Sequence, residues 1–144
     1  MNIELMSEIV DYGVLGLLAF MSFLTLFFWL ERLFFYRSVD VKKYKTVEEL
    51  EIDVTNNLSI ISSFGANAPY IGLLGTVLGI IITFHTMGQT AQMDVQNIMT
   101  SLALALKATA MGLVVAIPAI FFYNHLNRKV EVLINKWIIH QKEN

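Results

Sequence analysis

Three stretches of this sequence are each apolar for roughly twenty residues, the length a helix needs to cross about 30 Å of hydrocarbon. They run about Gly13–Phe35, Gly65–Met87 and Ile98–Tyr123. No other feature constrains the fold as strongly. Composition agrees: 56% of the residues are hydrophobic and 15% charged, where a soluble domain carries about 25% charged residues. The predicted fold class is therefore an all-α membrane protein with three transmembrane helices, forming one unit over residues 1–144.

The charges set an orientation. Nine of the ten Lys and Arg residues lie in Arg32–Lys45 and Arg128–Lys142, and the tenth is Lys107. Short flanks rich in Lys and Arg stay on the cytoplasmic side. The reading is N-terminus out and C-terminus in, with residues 36–64 and 124–144 cytoplasmic and residues 1–12 and 88–97 outside. Met1–Asp11 holds Glu4, Glu8 and Asp11 but no Lys or Arg, and Tyr12–Leu30 runs 19 residues without a charge. That pattern is a permanent span rather than a cleaved leader. In the cytoplasmic stretch TVEEL, Thr46 followed three residues later by Glu49 signals a helix start. In the tail, Val130, Leu133, Ile134, Trp137 and Ile138 fall at helical spacing, predicting an amphipathic helix that lies on the membrane or packs on a partner.

The first span is Leu and Phe nearly all round, as expected of a helix facing lipid. The other two differ. Ala68, Gly72, Gly75, Thr76, Gly79 and Thr83 share one face of the second. Ser101, Ala105, Ala108, Thr109, Gly112, Ala116 and Ala119 share one face of the third. Small residues let helix backbones approach closely in lipid, and hydroxyls bond between helices. Such faces serve packing. If they line a common space, Thr76 and Thr109 add a weakly polar ring near mid-membrane. Pro69, near the start of its span, is tolerated there; Pro118, well inside, predicts a kink.

Lys107 lies about nine residues into the third span, where an ionisable group is a functional candidate. No acid lies deep in any span. Lys107 either snorkels outward toward Asp11 or Asp94, or meets a partner from another chain. It stands two residues from Thr109, so it does not point with the small face.

Several chemistries are set aside. There is no cysteine. His85, His125 and His140 are too far apart in sequence to suggest a metal centre. LGTVLG (Leu74–Gly79) lacks the Lys-Ser/Thr ending of a phosphate loop. No nucleophile–base set is visible, so the chain does not read as an enzyme, and nothing points to a cofactor or to nucleic acid. An autonomous channel is disfavoured, because an apolar constriction tends to dewet.

Ala68–Ile80 (APYIGLLGTVLGI) and Ala105–Ile120 (ALKATAMGLVVAIPAI), followed by Tyr123 and Asn124, resemble the second- and third-helix signatures of the ExbB/TolQ family of proton-channel proteins, which is related to MotA. The resemblance is close over about Gly65–Asn127. It implies a pentamer in the inner membrane of a Gram-negative cell, whose second and third helices line a central apolar pore around ExbD-type single-span partners. An Asp on the partner helix is protonated and released as protons flow inward. The work passes to a TonB-type protein that drives uptake across the outer membrane. Thr76 and Thr109 match the pore-side threonines on the proton pathway, with Gly72, Gly75, Gly79, Ala105, Gly112 and Ala116 as the packing face. A TolQ-like role in envelope integrity is the alternative within the family, and a passive scaffold for partner helices the alternative outside it. The sequence departs from the family pattern at Leu104, where a Glu is common, and at Lys107, where an apolar residue is usual. That leaves Lys107 as a candidate to make the polar contact the missing Glu does not.

Overall fold

The computed structural model describes the backbone over residues 3–89 and 94–144, with side chains from residue 5. Residues 1, 2 and 90–93, the last four being part of the second connection, lie outside the described residues. Among the described residues four helices follow one another: α1 (Ile3–Ser38), α2 (Val47–Val54), α3 (Leu58–Gln89) and α4 (Val95–Glu143), with a 3₁₀ turn at Val41–Lys43 between α1 and α2. α1, α3 and α4 are long and apolar enough to cross a membrane. At 1.5 Å per residue, the 32 residues of α3 span about 48 Å and the 49 of α4 about 74 Å. Both therefore extend well beyond about 30 Å of hydrocarbon.

Local signals set the ends. Thr46 has extended backbone angles and its hydroxyl accepts from the Glu49 amide at 3.2 Å, capping α2. Asp94 does the same for α4, accepting from the Asn97 amide at 2.8 Å. Between α2 and α3 the chain reverses through Asn57, whose φ of 69° lies in the left-handed region that Asn tolerates.

Two cores hold the molecule, each by different physics. At the Lys- and Arg-rich end, Tyr36, Leu50, Val54, Leu58, Ile61, Leu126, Val130 and Leu133 form one buried cluster. This is an ordinary hydrophobic core, worth about 25 cal/mol per Å² removed from water. Within the spans the buried cluster is Val14, Leu18, Met21, Ala68, Ala108, Val115 and Ala116. Lipid is as apolar as these side chains, so close packing and hydrogen bonds do the holding there.

Three expectations are corrected. The tail is not a separate helix seeking membrane or partner: it is the last part of α4. Its apolar stripe is covered by the chain's own α1, 3₁₀ turn and α2, and Trp137 Nε1 donates to the Tyr44 carbonyl at 3.0 Å. Pro69 is not near a helix start, because α3 begins at Leu58 and Pro69 lies in its interior. The outer flank is helical too, since α1 starts at Ile3 and places Asp11 two turns inside a helix. α4 runs as one helix through Pro118.

Arg32 ties α1 to the end of α2. It is buried to 3% exposure at the basic end of α1. Its guanidinium donates to the Glu31 carboxylate at 2.6 Å and to the Asp53 carbonyl at 2.8 Å, and lies 4.3 Å from the Phe35 ring centre. The neighbouring Tyr36 hydroxyl donates to the Val54 carbonyl. Both side chains thus close the end of α2 onto α1. Outside this region Tyr44 donates to Asp53 at 2.7 Å. That bond to a carboxylate, with some burial, lifts the Tyr44 hydroxyl to about 12, so it remains a neutral donor at physiological pH.

Candidate functional site: a hydroxyl pair between two helices

The small faces of α3 and α4 meet each other. A Cβ placed on Gly72 would come 2.6 Å from the Ala108 carbonyl oxygen and 3.0 Å from Gly112 Cα. One on Gly112 would come 2.7 Å from the Ala68 carbonyl oxygen. Gly75 and Gly79 sit in the same seam, where a Cβ would fall 2.8 Å from Ala108 Cβ and Ala105 Cβ respectively. Only hydrogen fits at these positions, which is what brings the two backbones together. Ala116 is buried in the same membrane core, 2% exposed.

This approach sets two hydroxyls against each other. Thr76 is buried, 6% exposed, and its Oγ1 lies 2.8 Å from the Ala105 carbonyl oxygen and 2.5 Å from Thr109 Oγ1. A longer contact, 3.4 Å, reaches the Gly72 carbonyl in its own helix. A hydroxyl has one proton and two acceptor lone pairs. When Thr76 donates to Ala105, Thr109 must donate to Thr76. The Thr109 lone pairs are then the open end of the chain, and Thr109 is the half-exposed member of the pair. The arrangement offers an acceptor to whatever stands beside α4. If both hydroxyls turn, Thr76 donates to Thr109 and Thr109 donates outward. Ala105 keeps its ordinary helical partner meanwhile, so the reversal leaves no buried carbonyl unpaired.

A polar cleft of about 360 Å³ opens from the N-terminal end of the bundle toward this pair. Ser7 and Asp11 of α1, Thr83 of α3 and Asn97, Thr100 and Ser101 of α4 contribute to its walls, and Gly79, Leu104 and Ala105 also line it. It has ample room for water and many partners for it. Ala105 is shared by the cleft and the hydroxyl pair.

Asp11, which by sequence belongs to the outer flank because it precedes the first apolar run, stands inside α1. Ser7 and Asp11, four apart, were the available signal of a polar face continuing the helix. Asp11 and Lys107 line one small hollow together with Leu15, Leu104 and Ala108. They form no ion pair among the described residues. Lys107 is exposed on the side of α4 toward α1, away from the seam that Thr109 enters. Asp94 is occupied instead with capping α4.

A model of the MotA/TolQ/ExbB proton channel family matches residues 30–138. A biopolymer transport protein ExbB of Helicobacter pylori is 48% identical over 138 residues, covering 96% of this chain and 95% of that protein. One from Aquifex aeolicus is 48% identical over 134 residues, covering 93% and 90%. A Tol-Pal system protein TolQ of Pseudomonas aeruginosa is 35% identical over 101 residues, covering 70% of this chain and 42% of that protein.

Proposed function

The chain belongs to the MotA/TolQ/ExbB proton channel family, and on that premise we propose that it is the ExbB-type subunit of a proton-driven motor in the inner membrane of a Gram-negative cell. In this reading its N-terminus faces out, and five copies surround ExbD-type single-span helices. The complex passes work to a TonB-type protein that energises transport across the outer membrane.

One observation carries the reading: the Thr109–Thr76–Ala105 hydroxyl chain, which ends on Thr109, the half-buried member of the pair. Such an end accepts from a protonated carboxyl. After reversal it donates to the same carboxyl once ionised. It can therefore satisfy a partner's acid in both protonation states without placing a fixed charge in an apolar wall. Lone uncompensated carboxylates are costly there, so an adaptable neutral partner lowers the cost of the charged state. The polar cleft gives water a route from the N-terminal end toward Ala105.

The ExbB reading is favoured over TolQ by identity: the Helicobacter pylori and Aquifex aeolicus ExbB proteins are 48% identical to this chain over 138 and 134 residues, and the TolQ relative 35% over 101. The test is native mass spectrometry of the detergent-purified protein, alone and co-expressed with a single-span protein bearing an intramembrane Asp. A five-copy ring that retains the single-span protein supports the motor. A monomer or dimer that ignores it overturns the reading.

A further inference from the structure

Two separate hollows lie between α1 and α4, and between them Trp29 of α1 stacks on Phe122 of α4 with ring centres 4.3 Å apart. At the basic end, a cavity of about 380 Å³ is lined by Arg37 of α1 and by His125, Arg128, Lys129 and Lys136 of α4, over a floor that includes Leu33 and Tyr36. No acid lines it. Glu131 pairs with Arg128 at 3.3 Å from beside the cavity, and both side chains are largely exposed. Farther into the membrane, a second hollow of about 420 Å³ is walled by Leu15, Leu18, Ala19, Met111 and Val114, with Lys107 at its rim. Along α4 the lining residues Lys107, Met111, Val114, His125, Arg128 and Val132 stand on one stripe, at steps of three, four and eleven residues.

The distances fit one class of molecule. Val114 and His125 are eleven residues apart, about 16 Å along the helix. One leaflet of hydrocarbon is about 15 Å thick, half of about 30 Å. Arg37 and His125 each stand two residues beyond the apolar runs that end near Phe35 and Tyr123, which is headgroup depth. We propose that the basic hollow binds an anionic phospholipid, its phosphate held by Arg37, Arg128 and Lys129 and one acyl chain passing over the half-buried Trp29–Phe122 pair toward the Ala19–Met111 hollow. Basic pockets between membrane helices suit acidic headgroups, because several cations share one phosphate next to low-dielectric lipid. An acidic segment from a second copy, such as the exposed Glu48, Glu49 and Glu51 of α2, would meet the cations and leave the apolar hollow unfilled. The proposal requires only that the chain span a membrane, and stands apart from the motor reading.

The test titrates detergent-purified protein with phosphatidylglycerol, phosphatidylcholine or inorganic phosphate and reads bound mass by native mass spectrometry. Phosphatidylglycerol should be retained over phosphatidylcholine. Each cation removed in Arg37→Gln, Arg128→Gln and Lys129→Gln should weaken that retention about fivefold, with the helical circular dichroism unchanged. Inorganic phosphate at millimolar level should not displace the lipid. Equal retention of the two lipids, or undiminished binding in the triple variant, overturns the proposal. Displacement by phosphate alone also overturns it, marking a free-anion site. The chain has no cysteine, so a Lys129→Cys, Glu49→Cys variant gives a clean crosslinking check: efficient bridging between copies without lipid adducts assigns the basic hollow to a second copy and sinks the lipid.

Discussion

Gly72 and Gly112 face each other across the α3–α4 seam so closely that a Cβ on either would stand 3.0 Å from the other's Cα. Gly72→Ala also drives its methyl to 2.6 Å from the Ala108 carbonyl oxygen, and backbone atoms have little room to yield. The expected cost is about 1–3 kcal/mol, the usual range for overpacking. Gly16→Ala is the control, because a Cβ there meets nothing within 4 Å. Thermal unfolding in detergent should show Gly72→Ala and Gly112→Ala clearly lowered and Gly16→Ala unchanged or slightly raised.

Arg32 is the second point of vulnerability. Arg32→Met removes the donor to the Asp53 carbonyl and strands the Glu31 carboxylate at the edge of the bundle. Loss of a buried hydrogen-bond partner costs about 1–3 kcal/mol. Arg32→Lys should recover only part of this, since an ammonium cannot reproduce the fork that reaches both acceptors. Limited proteolysis between α1 and α2 should accelerate for Arg32→Met, and less so for Arg32→Lys.

Trp137→Phe tests the docking of the tail. It keeps most of the apolar contact but removes the Nε1 donor to the Tyr44 carbonyl. The expected loss is about 1 kcal/mol. Hydrogen exchange should rise around residues 41–46 while the amides of the α3–α4 seam stay protected.

The three spans, the two small-residue faces and the two threonines were legible in the sequence, because each rests on local periodicity or length. The docking of the tail was not. Leu126, Val130 and Leu133 announce an apolar stripe, but only the fold shows that Leu50 and Val54 cover it. Arg32 was read as an orientation signal in the flank. Its burial follows from α2 folding back so that a backbone carbonyl, which has no sequence signature, becomes its acceptor. The sequence offers Asp11 only as a partner for Lys107, because a charge before an apolar run reads as the end of a span. The helix continues through Asp11 back to Ile3, and Ser7, Thr83 and Thr100 line the same cleft.

Lys107 and Asp11 share a hollow without forming an ion pair. If their charges matter to the complex, Lys107→Met should reduce proton-driven activity while leaving the spans folded, and Lys107→Arg should preserve it. Unchanged activity and assembly in Lys107→Met would show that the charge has no role. Combining Asp11→Asn with Lys107→Met gives the coupling between them. A double variant no worse than the poorer single one indicates a shared function.

Proton entry into liposomes holding this protein co-expressed with a single-span protein that bears an intramembrane Asp tests the hydroxyl chain through Thr76 and Thr109 most directly. Thr76→Val keeps the shape and deletes the proton of the chain, whereas Thr76→Ser keeps the hydroxyl. The account predicts that Thr76→Val and Thr109→Val each cut proton flux at least about tenfold, equivalent to about 1.4 kcal/mol, in complexes that assemble normally, while Thr76→Ser stays near wild type. Wild-type flux from an assembled Thr76→Val, Thr109→Val double variant would contradict it and leave the two threonines as helix-packing residues alone.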